Sequence, residues 1–275
     1  MTTTQRGSST WVTQEHPLKS GASAIIERNA KHKYRLLKGS LCAEELCQCI
    51  EHPEVQGASA IVKYVQSFDS GFGAGQGWAT KLIRESKNLV GHPECLLHHG
   101  DYDLPRKVGN EARDMGTQLH DEVDDFIRNK KVAEHSPMFV SWHKVVDPLF
   151  DWLTSEQFLV HKDLHFGGTF DAVGLDRETG EITIIDHKTV DLASWEKYGS
   201  KNRREENGAQ LAAYAAGLHS LNSRYAPDKG LIAYVLRDGS GTFLEEVNLS
   251  RGYGFFLAAR ETYNLHKYYE AEDKK

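Results

Sequence analysis

Apolar positions recur at two periods along this chain, and the switch falls near residue 155. Before it they repeat every three to four residues, as one face of a helix requires. Ala24, Ile25, Ala30, Leu36 and Leu37 alternate with lysine and arginine, and Ala43, Leu46, Cys47 and Ile50 follow at helical spacing. Trp78 to Val90 continues the pattern. The strongest stripe runs from about Gly109 to Lys130, through Ala112, Met115, Leu119, Val123 and Phe126. Phe139 to Trp152 predicts one more amphipathic helix, whereas residues 1 to about 20 are polar and expected to fray.

Beyond the switch the period is two. Gln157–Val160, Gly168–Gly174 and Ile182–Lys188 are short β-prone runs, and Asp176-Arg-Glu-Thr-Gly180 supplies a hairpin turn between the last two. An alanine-rich helix is predicted over Asn207–Leu221, then strands over Leu231–Leu236 and Thr242–Val247, then a final helix over Tyr253–Tyr269. The fold class expected is α/β, with a helical N-terminal subdomain over residues 1–104 and a core over 105–275 built as helix, three strands, helix, strand.

Composition narrows the classes of function. The chain has 275 residues, 26% charged and 39% hydrophobic, which excludes disorder, collagen-like repeats and a small disulfide-stapled fold. Its net charge of −6 provides no bulk positive field for nucleic acid, so any polyanion contact must use local basic clusters or bound metal. Cys42, Cys47, Cys49 and Cys95 lack zinc-ligand spacing. The opening residues lack the apolar stretch of a secretory signal and no run suits a membrane span, so a soluble protein of a reducing compartment is expected. The glycine-rich loop Asp69–Gly77 misses both GxGxxG and the phosphate-loop GK[ST], and is read as a connector.

The chemistry concentrates in Gly168-Thr-Phe-Asp171 and Ile185-Asp186-His187-Lys188. Side chains two apart on a strand share a face, so Asp186 and Lys188 point together, and the hairpin brings Asp171 near them. Two carboxylates and an ammonium make a hard-oxygen site for Mg²⁺ or Mn²⁺ beside a cation, which suits phosphodiester hydrolysis. Charged residues usually decorate surfaces, but Asp186 directly follows the apolar Ile182, Ile184 and Ile185, where a charge must be paired or bind metal. His120 sits one helical turn after Gly116 at the edge of its stripe, and Gln210 and Tyr214 share a helix face at i and i+4.

In order, Gly116–His120, Glu156, Gly168–Asp171, Asp186–Lys188 and Gln210–Tyr214 resemble the motifs of the PD-(D/E)XK nuclease superfamily, in its RecB-like exonuclease branch of phage and bacterial type. The resemblance covers about residues 105–270. It implies a restriction-endonuclease-like core, with His120, Asp171, Asp186 and the backbone carbonyl of His187 as metal ligands. Lys188 would position or activate water, Gln210 and Tyr214 would contact the DNA backbone or support the lysine, and Glu156 would be an acid beside the metal. The second motif lacks the proline of the family's name. Iron–sulfur members carry three cysteines after the core and this chain has none there, so no cluster is expected. The ring of His187 is expected to point away from Asp186.

Two basic clusters are candidates for holding DNA: Arg28, Lys31, Lys33, Arg35 and Lys38 in the first predicted helix, and Lys197, Lys201, Arg203 and Arg204 ahead of the helix bearing Gln210. Each could equally be a solvated face. Phe72, Trp195 and Tyr198 are candidates for stacking on bases or for core. The activity expected is metal-dependent exonuclease action on DNA, single-stranded or with free ends. It would serve replication or recombination in a bacterial or phage-infected cytoplasm, alongside partner proteins. The alternatives are an endonuclease on the same core and a non-catalytic DNA-binding protein; intact Asp171, Asp186, Lys188 and Gln210 argue against the latter.

Overall fold

A computed structural model of the chain describes residues 2–6, 9–21, 23–36, 55–69, 104–130, 135–201 and 204–272. The four cysteines, residues 70–77 of the glycine-rich loop, the helix expected over 78–90, Phe72 and Arg203 lie outside them. Strands β1 (Thr2–Arg6), β2 (Ser9–Pro17), β3 (Ser23–Asn29), β4 (Lys33–Leu36) and β5 (Val55–Gly57) lead into helix α1 (Ala58–Asp69). Helices α2 (Leu104–Asn129) and α3 (Pro137–Val145) precede β6 (Phe150–His161), β7 (Phe166–Asp176) and β8 (Ile182–Val190). Then come α4 (Leu192–Tyr198), α5 (Arg204–Ser220), β9 (Lys229–Leu236), β10 (Thr242–Val247) and α6 (Leu249–Glu272). The chain is therefore α/β, and from α2 onward it follows the expected order of core elements.

The helix expected near residues 24–37 is instead a pair of antiparallel strands, and the supposedly frayed start forms two more. Threonine-rich β1 and β2, and Ile25–Ile26 in β3, are β-branched sequences that suit a pleated surface. The β3–β4 turn carries no glycine. His32 takes the left-handed conformation (φ 53°), while the Asn29 Oδ1 accepts from the backbone N–H groups of Lys31 and Lys33. A helical N-terminal subdomain is thus not what the described residues form: α1 is their only helix before residue 104. The helix predicted over Phe139–Trp152 also ends early. Pro148 disfavours helical geometry in the residue before it, a short 3₁₀ turn spans Asp147–Leu149, and Phe150 begins β6.

All ten described strands join one sheet, in the order β1-β2-β3-β4-β5-β7-β8-β9-β10, with β6 on the other edge of β7. Leu119, Val123 and Ile127 of α2 pack with Met138, Phe139 and Trp142 of α3 against Ala172, Ile185, Ala233 and Val235 of the strands. A second core gathers Leu211, Ala213 and Leu218 of α5, Phe256 of α6 and Ile61 of α1 with Ile26 and Tyr34 of the N-terminal strands. Burying such side chains contributes roughly 1.5–3 kcal/mol each, so the N-terminal strands are held by the same driving force as the rest of the sheet.

One edge of β7 is shared. Its start pairs with β5 in parallel at Gln56↔Phe166 and Gly57↔Gly167, and its end pairs with β8 from Ala172↔Ile185 to Leu175↔Ile182. Between these ladders, residues 168–171 have no strand partner on that side. The turn that follows is as expected: the Asp176 Oδ1 accepts from the N–H groups of Glu178 and Thr179, and Gly180 has φ 73°.

Candidate active site

The gap in the β7 edge is where the predicted residues meet. Past Ala172↔Ile185, β8 leaves β7 and continues with β9 as far as Val190↔Leu236. The Asp171 carboxylate fills the opening, and its Oδ2 accepts the backbone N–H of His187 at 2.7 Å. Asp186 and Lys188 share a face, as their spacing requires, with Nζ 2.6 Å from the Asp186 Oδ2. The ring of His187 lies on the opposite face from Asp186, 5.7 Å from Trp142 of α3 and 6.0 Å from the His120 ring, with Nδ1 3.8 Å from the Asp171 Oδ2, and is fully buried. Burial, followed by the nearby His120 and Lys188 cations, keeps that ring neutral by lowering its pKa well below the usual histidine value. Its backbone carbonyl accepts from the His120 Nε2 at 3.1 Å, so the peptide group of this residue faces the site.

His120 reaches in from α2, with Nδ1 3.4 Å from the Glu156 Oε1 and 3.6 Å from the Asp171 Oδ1. One ligand atom from each of His120, Glu156 and Asp171 lies within 4.8 Å of the others, a separation that suits a shared cation. Burial alone would lower the pKa of His120, but the Asp171 charge and the bond to Glu156 outweigh it and raise it to about 9. With its proton the imidazolium offsets the crowded carboxylates; a bound cation would take over that role and leave the ring neutral as a ligand. Burial raises the pKa of Asp186 to about 6 against the pull of Lys188, and burial raises that of Asp171 too. The Asp186 Oδ1 is buried without a hydrogen-bond partner, an acceptor that a cation would satisfy. The donor set fits a hard divalent ion.

Glu156 stands opposite Asp171 across β6–β7 in a left-handed conformation, φ 47°. For a residue with a Cβ this costs roughly 1–3 kcal/mol and needs support. Gln14 of β2 gives it: its Nε2 donates to the Glu156 carbonyl at 3.2 Å and its Oε1 accepts the Phe158 N–H at 2.5 Å. The glycines before the first aspartate have a steric reason. A Cβ on Gly168 would lie 2.3 Å from the Tyr214 Cε1, and one on Gly167 would lie 2.6 Å from Tyr34. A Cβ on Gly116 would meet the Thr189 Oγ1 at an ordinary 3.5 Å, so packing here does not demand that glycine.

Gln210 donates to the Tyr214 hydroxyl at 3.0 Å, joining the two predicted residues of α5. Burial, then the nearby Tyr34, Asp186 and Asp171, raises the pKa of Tyr214 well above its usual value, so its hydroxyl stays protonated. Glu206, one turn earlier on the same face and buried, adds its charge to the surroundings of Lys188. It was not foreseen, since a glutamate in the first turn of a helix resembles any helix start.

The second basic cluster lies beside the site but is partly engaged. Trp195 of α4 stacks on Phe243 (4.4 Å, 21°) and packs at 5.3 Å from Tyr234, the β9 partner of Lys188. Trp195 is therefore packing rather than a platform for bases, while Tyr198 is exposed beneath Lys197. Lys201 ends a 3₁₀ turn, and Arg204 forms an ion pair with Glu245. In the first cluster, Arg35 pairs with Glu27 and lies over Trp11 (4.2 Å), a structural role.

The sequence profile of the PD-(D/E)XK nuclease superfamily matches residues 103–253, which hold α2, α3, β6 to β10, α4 and α5. The chain belongs to that superfamily. Membership makes it a nuclease, a phosphodiester hydrolase of a class that generally uses divalent metal and takes DNA as substrate. The solved structure described as SSO0001 is 13% identical, with 69% of this chain and 85% of that one covered and a TM-score of 0.34. A phage-related exonuclease from Haemophilus somnus 129PT is 12% identical, covering 56% of this chain and 82% of that one, with a TM-score of 0.29. Likenesses so distant carry no argument about activity. No curated protein sequence matches the chain. Among the described residues of this nuclease, no helix is long and apolar enough to cross a membrane.

Proposed function

We propose that this nuclease is a metal-dependent DNA exonuclease that works from ends on single-stranded DNA. What carries the proposal is the convergence of Asp171, Asp186 and Lys188 on two diverging strands, with His120 and Glu156 closing over them. His120, Asp171, Asp186 and the His187 carbonyl would hold Mg²⁺ or Mn²⁺, with Glu156 beside them. Such an ion supplies Lewis-acid activation of the phosphodiester and of water. Lys188, fixed by Asp186, orients the attacking water and stabilises charge developing on the phosphoryl oxygens. Gln210 and Tyr214 steady the strand or the lysine, while Lys197, Lys201, Arg203 and Arg204 hold phosphates beyond it. The enzyme would serve replication or recombination in a bacterial or phage-infected cytoplasm, with partner proteins of those processes.

End-dependence draws on the His120 and Gln210–Tyr214 pattern, which resembles that of end-processing members of the superfamily. Labelled linear and closed circular single strands, with and without Mg²⁺, test it. Progressive degradation of the linear strand, an intact circle and no reaction in EDTA are expected. A circle cut as fast as the linear strand would replace the exonuclease with an endonuclease, and activity in EDTA would sink the metal assignment.

A further inference from the structure

We infer that Arg28 and Lys63, with the neutral His32 beside them, form a phosphate clamp, holding the phosphodiester next to the one that a cation at His120, Glu156 and Asp171 would bind. The inference rests on the nucleic-acid substrate proposed above and adds the N-terminal strands to the substrate site.

A cleft of about 520 Å³ lies between the β3–β4 hairpin and α2. His120, Glu156, Asp121 and Asp124 line one wall, and Arg28 and His32 the other. Most of the acidic wall accounts for itself: Asp124 is tied to Arg128 and Ser155 at 2.5 Å, His120 and Glu156 belong to the site, and Asp121 is exposed. The basic wall has no such account. Among the described residues, no carboxylate lies within ion-pairing distance of Arg28, and the charges of both Arg28 and Lys63 bear on His32.

The Arg28 guanidinium is fixed in place. It lies over Phe158 at 4.7 Å from the ring centre, and its Nη1 donates to the Thr169 Oγ1 at 3.2 Å. The Tyr34 hydroxyl bonds the same Thr169 oxygen at 3.0 Å. Packing and hydrogen bonding to Thr169 and Tyr34 thus set the plane of a group that carries five donors, and the others remain for an incoming ligand. A planar, oriented and half-buried fork of this kind suits phosphate, to which it can bond in a bidentate manner.

Position decides which phosphate. Thr169 and Asp171 are two apart on β7, which separates them by about 6–7 Å. That is comparable to the step between successive phosphates of a single strand. A strand with one phosphate at the carboxylate group would therefore offer its neighbour to Arg28. Lys63, exposed on α1, extends the positive wall outward, and His32 lines it as a neutral ring, its pKa lowered by burial and by the Arg28 and Lys63 charges.

The test is binding under non-cleaving conditions, with Ca²⁺ and a fluorescent single-stranded oligonucleotide, at several salt concentrations. Arg28→Ala is expected to weaken binding about tenfold and to reduce the slope of log K against log salt by about 0.7, the loss of one single-strand phosphate contact. Arg28→Lys should keep the slope while losing part of the affinity. A neutral methylphosphonate one linkage from the scissile position should weaken the wild type but not add to the loss in Arg28→Ala. If Arg28→Ala does not fold, Lys63→Ala and Arg28→Lys take its place, with Lys63→Ala expected to lower the slope. An unchanged slope in Arg28→Ala, or in Lys63→Ala when that stands in, would overturn the clamp, as would losses from variant and methylphosphonate that simply add. Binding is read without cleavage, so a wild type that binds with the expected slope but shows no Mg²⁺-dependent hydrolysis would sink the metal-dependent exonuclease proposal and leave the clamp standing.

Discussion

Strands β2 to β4 and strands β6 to β8 belong to one sheet, yet they serve the site in opposite ways. The later strands present side chains: Asp171, Asp186 and Lys188 gather because the β7–β8 ladder stops at Ala172↔Ile185. The N-terminal strands mostly present support: Gln14 brackets the strained Glu156, Tyr34 fills the space above Gly167, and Arg28 rests on Phe158. The comparison teaches that reacting groups and the groups that hold their backbone come from parts of the chain more than a hundred residues apart.

The sharpest contrast should come from removing a carboxylate. Asp171→Asn and Asp186→Asn are each expected to lower the cleavage rate about a thousandfold or more, since metal stabilisation of the transition state is worth several kcal/mol. Their folds should survive, because each loses a buried charge from a crowded site. Lys188→Ala is expected to lose about a hundredfold in rate while titration calorimetry still detects metal binding. Near-wild-type rates in either aspartate variant would erase the distinction between reacting and supporting strands.

A second prediction concerns stability alone. His16 of β2 is fully buried, with its Nε2 2.7 Å from the Ser223 Oγ. Burial lowers its pKa to about 4, against a smaller opposing effect of a backbone hydrogen bond at Phe158. Between about pH 6.5 and 4 the unfolded chain takes up this proton and the folded chain does not. The stabilisation is therefore complete above about pH 6.5 and falls with pH, by about 3 kcal/mol over the window. Urea unfolding at pH 7 and pH 5 should show a larger loss for the wild type than for His16→Gln. Equal losses would remove His16 from the account.

The smallest effect expected is that of Gln14→Leu. It leaves the Glu156 carbonyl and the Phe158 N–H without their partner, a cost of about 1–3 kcal/mol. Because the same change frees the backbone of Glu156, activity should fall at a temperature where the variant is still folded. A variant that loses stability but keeps full activity would make Gln14 a support of the fold only.

The two regions also differ in how far the sequence reveals them. Asp186 and Lys188 were legible because a charge at the end of an isoleucine-rich strand needs a partner, and the Asp176–Gly180 turn announced its hairpin. The β3–β4 hairpin was not, because His32 takes the position where glycine or asparagine would have signalled a turn. Lysines and arginines on its exposed edges imitate a helical period. The early end of α3 could have been found from Pro148. The burial of Glu206 and the pairing of Arg204 with Glu245 could not, since both depend on which elements meet in the sheet.

The brackets around Glu156 have a consequence in time as well as in space. Gln14 meets Glu156 and Phe158 across 142 and 144 residues, and β5 pairs with β7 between Gln56 and Phe166. Contacts of such separation bear the largest loop-closure entropy and slow folding. On a ribosome the first strands emerge long before the strands they must join, and wait with open edges until β6 and β7 appear. Helix α2 and the β6–β8 meander are local enough to form without them. Full activity therefore waits on a contact between the first strands of the chain and a strand made more than a hundred residues later.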